Sequence, residues 1–105
     1  MIIDIERIHI DNTQVLGTAV KITAILSEDE SATTVALRLE NPYNAVTLDD
    51  VPMEEEASRV FSYTWQSSDS GNVNYAGIYE AIVKVTNAEH TTIGYQKFNL
   101  ADVIG

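Results

Sequence analysis

The stretch Tyr75–Thr86, YAGIYEAIVKVT, decides how the rest of the chain is read. From Gly77 onward, Tyr79, Ala81, Val83 and Val85 occupy every second position and alternate with Ile78, Glu80, Ile82 and Lys84. Successive side chains of an extended backbone point to opposite sides, so this period of two places one apolar row on a core. The β-branched residues that fill it favour the same conformation. Gly77 lets the chain turn tightly just before the strand, and Tyr79, two residues before Ala81, has the spacing of a tyrosine corner, in which a phenol packs in the core.

The same period recurs on both sides of this segment. TAVKITAIL sets Val20, Ile22, Ala24 and Leu26 against Lys21 and Thr23, and TVALRLE sets Val35, Leu37 and Leu39 against Arg38. NPYN, residues 41–44, supplies an Asn-Pro turn signal, and AVTLDDV reads as a shorter, weaker strand. In SRVFSYTWQ the aromatic row Phe61, Tyr63, Trp65 fills a core, with Trp65 bulky enough to plug its centre. IIDIERIHID changes phase between Ile3/Ile5 and Ile8/Ile10, which predicts a bulge or a strand that switches sheets. IGYQKFNLADV forms the last strand, and PMEEEAS reads as a charged connection, with a single helical turn as the alternative. Seven short antiparallel strands separated by turn signals predict an all-β Greek-key sandwich over residues 1–105; a small closed barrel is the alternative.

Totals narrow the function. The 105 residues, 45% hydrophobic and 21% charged, suit one globular domain. Sixteen acidic residues against six basic ones give a formal net charge of -10, a field that repels phosphate backbones and excludes direct nucleic-acid binding. The same field suits a soluble, densely packed assembly subunit or a high-salt environment. With no cysteine there is no disulfide, thiolate metal site or cysteine nucleophile. Asp4, Glu6 and Arg7 interrupt the first apolar run and no later run reaches membrane-spanning length, so the expectation is synthesis in a cytoplasm without secretion or a membrane anchor.

Chemistry-bearing groups are sparse. The acidic clusters Glu28-Asp29-Glu30, Asp49-Asp50 and Glu54-Glu55-Glu56, and Asp69 in its polar loop, lack the alternating ladder of a calcium loop and read as solvated charge. His9 and His90 have no neighbour at metal-ligand spacing. Ser67 and Ser68 sit in a polar loop without a nucleophile elbow, and the five glycines form no phosphate-cradling loop. A sandwich of this size has little room for the deep cleft that glycoside hydrolysis requires. The chain is therefore expected to be non-enzymatic, with no catalytic, metal or cofactor-binding residues.

Taken together, IERIHI, GTAVKITAIL, TVALRLENP, FSYTWQSS, GIYEAIVKVT and YQKFNL resemble the single-domain immunoglobulin-like structural proteins of tailed viruses of bacteria and archaea, across roughly nine-tenths of the chain. The resemblance implies an immunoglobulin-like or fibronectin-like sandwich and a virion component assembled in the host cytoplasm: a capsid decoration or turret, a head-to-tail joining protein or a tail accessory. Its partners would be capsid, connector or tail subunits and further copies of itself, with neither nucleic acid nor membrane involved. Attachment would run through an exposed sheet edge, the first and last strands being the candidates. Two alternatives remain: a carbohydrate or host-surface binding module displaying Tyr43, Tyr75 or Tyr95, and a calcium-stabilised adhesion fragment.

Overall fold

A computed structural model of the chain describes residues 3–11, 19–28, 33–66, 76–87 and 90–101. Among them are eight strands and no helix: β1 (Ile5–Ile10), β2 (Ala19–Leu26), β3 (Thr34–Glu40), β4 (Val46–Pro52), β5 (Glu54–Ala57), β6 (Val60–Gln66), β7 (Gly77–Thr86) and β8 (Thr91–Leu100). All pairings are antiparallel. They build two four-stranded sheets, ordered β1-β2-β6-β5 and β4-β3-β7-β8.

The core lies between the sheets and is made by the alternation that the sequence displays. Val20, Ile22, Ala24 and Leu26 of β2 form one cluster with Val35, Leu37 and Leu39 of β3 and with Tyr79, Ala81, Val83 and Val85 of β7. Each of these side chains is buried. Full burial of each valine, leucine or isoleucine side chain among them contributes about 1.5–3 kcal/mol. Tyr79 ties the two sheets together, its ring centroid lying 5.3 Å from that of Trp65 on β6 and 5.7 Å from that of Phe98 on β8. Phe61 and Tyr63 share the inward face of Trp65 but are only partly buried against the core.

The phase change in the first strand is a bulge. Ile5 pairs with Leu26 and Arg7 with Ile25, so Glu6 is the extra residue. One added residue restores the face on which Ile5, Ile8 and Ile10 all lie, and β1 pairs with β2 on both sides of the bulge. Asp4 and Ser27 extend the pairing past the strand end, with Ser27 N–H donating to Asp4 O and Asp4 N–H to Ser27 Oγ, both at 2.9 Å.

The strand count corrects the sequence reading, because PMEEEAS holds a strand rather than a loop or a helical turn. Pro52 ends β4 on one sheet and Glu54 opens β5 on the other. Met53 makes the crossing: its side chain is buried in the core and its N–H donates to Val35 O at 2.9 Å. β5 then turns into β6 through Ser58-Arg59, Arg59 taking φ +67°, and pairs with β6 along one side only. All four β5 residues are exposed, so no apolar row announces the strand.

Candidate functional site

A sandwich with a filled core can recognise partners through its loops, its outer sheet faces or its edges. Among the described residues the two sheets end in four edge strands, β1, β5, β4 and β8. Three of them carry features that discourage a further strand from pairing. β1 is six residues long, is broken by the Glu6 bulge and is charged at Glu6 and Arg7. β5 has four residues, three of them glutamates, and a register shift between Glu55 and Ala57. β4 shifts register twice against β3 and contains Asp49, Asp50 and Pro52. Asp50 takes φ +49° at the first of these shifts. The bulge brings Asp50 Oδ2 to 3.5 Å from Lys84 Nζ and Asp49 Oδ1 to 3.8 Å from Arg38 Nη1, so the outer face beside β4 is covered by ion pairs.

β8 is different. Its ten residues pair one for one with β7, from Thr91 opposite Thr86 to Leu100 opposite Gly77, without a register shift. It has no proline, and Lys97 is its only charge. The outward row contains Ile93 and Tyr95, which are 49% and 62% exposed, although aromatic and β-branched residues usually gain from burial. The inward side of the strand is supported from the other sheet. At Gly94 an added Cβ would lie 2.9 Å from Ile5 Cδ1 and 3.3 Å from Ile8 Cδ1, so β1 packs its side chains into the space that the glycine leaves. The first and last strands, both proposed from sequence as attachment edges, thus lie along one side of the sandwich, and only β8 has a regular ladder.

Charge divides the two sides. β4 and β5 together carry Asp49, Asp50, Glu54, Glu55 and Glu56 with no basic residue, while β1 and β8 carry Glu6, Arg7 and Lys97. In a sheet with strands about 4.8 Å apart, β8 lies roughly 14 Å from β4. The acidic side does hold one local network: Ser62 Oγ donates to Glu56 Oε1 at 2.7 Å, and the Lys21 ammonium bridges to the same oxygen. The Lys21 ammonium, and after it the Ser62 hydroxyl, hold the Glu56 carboxyl below its ordinary range.

The remaining residues singled out by sequence do not converge. His9 is exposed on β1, 3.3 Å from Arg7 Nη2, whereas His90 lies in the connection before β8, where its N–H donates to Asn87 Oδ1 at 2.8 Å. Among the described residues no three His, Asp or Glu side chains are grouped to hold a metal ion, and no helix is long and apolar enough to cross a membrane. Tyr43 is 71% exposed in the turn that Asn41 organises, its Oδ1 accepting from the N–H groups of Tyr43 and Ala45. That turn packs on Gly77, while Tyr95 pairs with Ile82. Five residues along β7 separate the two, about 17 Å, so they form no common platform. Asp29, Glu30, Ser67, Ser68, Asp69 and Tyr75 lie outside the described residues. Position and pattern in the sequence named the last strand, together with the first, as a candidate edge; that β8 alone of the four keeps a regular ladder is revealed only by the pairings.

No family model matches the sequence, and no curated protein is significantly similar to it.

Proposed function

We propose that the chain is a non-enzymatic structural subunit of a tailed-virus particle, built on an immunoglobulin-like Greek-key sandwich and acting through protein–protein contacts. The observation that carries this reading is the edge at β8, which no strand among the described residues covers: a ten-residue regular ladder with Ile93 and Tyr95 exposed beside it. An edge of this kind is an aggregation hazard in a free monomer unless it has a partner, and strand addition supplies one through main-chain hydrogen bonds. The immunoglobulin-like assignment is supported by strand order: β1-β2-β6-β5 corresponds to strands A, B, E and D of such sandwiches, and β3-β7-β8 to C, F and G, with β4 as an added strand beside C. The acidic surplus supports solubility before assembly, and many copies on a particle would turn weak edge contacts into firm attachment.

Density-gradient fractionation of a lysate from cells producing the chain tests the reading. The chain is expected to band with virus particles at a fixed copy number per particle. Recovery only among small soluble proteins, with particles present elsewhere in the gradient, would refute it.

A further inference from the structure

We infer that the occupant of the β8 edge is a second copy of this chain, paired antiparallel through β8 about a two-fold axis at Gly94. The inference rests on the reading of β8 as a binding edge and adds the identity and register of its partner.

Three observations favour a second copy. The first is that β8 is complementary to itself. Read antiparallel about Gly94, Ile93 lies opposite Tyr95 of the second copy, Tyr95 opposite its Ile93, and Thr91 opposite its Lys97. Both exposed apolar side chains are thereby covered by apolar side chains, the arrangement that stabilises cross-strand pairs. The second is the fit at the axis. Gly94 faces inward, where Ile5 and Ile8 of the same chain fill the space a Cβ would take, so β1, which belongs to the facing sheet, backs the strand at the axis and does not occupy the in-plane edge where the second copy pairs. The third is charge. Chains of formal charge -10 repel one another, yet β7 and β8 carry only Glu80 against Lys84 and Lys97. Pairing through β8 leaves the acidic β4 and β5 edges at the outer ends of the dimer. The two Lys97 side chains, six residues apart along the paired strands, are separated by about 20 Å, beyond the Debye length of roughly 10 Å at 0.1 M salt. The dimer would contain one continuous eight-stranded sheet.

Sedimentation velocity on the purified chain tests the pairing. The expected result is a concentration-dependent monomer–dimer equilibrium that strengthens as NaCl is raised. Tyr95→Lys and Tyr95→Thr should each weaken it by at least about tenfold, because symmetry removes both Ile93·Tyr95 pairs at once. Tyr95→Thr keeps strand propensity and exposes any loss of folding in the lysine variant, while Tyr43→Lys should leave the dimer unchanged. The register is read separately, since the chain has no cysteine. A mixture of Ile93→Cys and Tyr95→Cys chains should form a disulfide faster than either variant alone; equal rates would overturn the register. A wild-type chain that stays monomeric to about 0.1 mM at high salt overturns self-pairing. If that monomer still bands with particles and Tyr95→Lys does not, the edge serves a different chain, so self-pairing fails while the proposed function stands.

Discussion

Gly77 holds φ +138° at the start of β7, and a Cβ there would lie 2.9 Å from Pro42 Cγ. Both the backbone conformation and the close approach exclude an L side chain without strain. Gly77→Ala is expected to destabilise the fold by about 1–3 kcal/mol, read as a lower urea midpoint at unchanged slope. A midpoint at or above that of the wild type would contradict this account of how β7 begins. At this scale the sequence was informative where one residue type has one physical use. Gly77, Tyr79 and the Asn41-Pro42 turn are legible because each answers a local constraint. The left-handed conformation of Asp50 is not, since aspartate is common in solvated loops and its bulge arises from pairing with β3.

Among the strands, β5 was hidden and β1 was half legible. The Glu6 bulge follows from the phase of four isoleucines. Nothing in EEEA advertises a strand, because an edge strand with every residue exposed needs no apolar row. What holds its outward side is the Lys21–Glu56–Ser62 network. The Glu56 carboxyl titrates below its ordinary value of 4.5 in the folded chain. The stability this linkage supplies is therefore present above pH about 4.5 and is lost as pH falls through the lowered value. Glu56→Gln should reduce the urea midpoint at neutral pH and converge with the wild type in acid, below both titrations. Parallel midpoint curves across that range would show that the carboxylate is not linked to folding. The effect will be small, as the bridge is half exposed.

For the whole molecule, the alternation of seven segments was enough to predict two sheets around a shared apolar core, and the aromatic contacts among Trp65, Tyr79 and Phe98 fulfil it. The order of strands in the sheets, and hence which edges are open, depends on long-range pairings that no local pattern encodes. The same is true of the division between an acidic β4/β5 side and a nearly neutral β1/β8 side. Because acidic residues outnumber basic ones by ten, self-repulsion outweighs the few surface ion pairs. Raising NaCl from low salt to about 1 M, where the Debye length falls to roughly 3 Å, is expected to raise the thermal midpoint. A fall would mean that the ion pairs dominate.

Residue, strand and molecule meet in the proposed attachment through β8. Amide hydrogen exchange read by mass spectrometry, comparing the dilute purified chain with the chain in gradient-purified particles, tests it most directly. Added protection is predicted over Thr91–Leu100, with Val46–Pro52 and Glu54–Ala57 unchanged. Protection gained at β4 or β5 while β8 exchanges as in the free chain would contradict it.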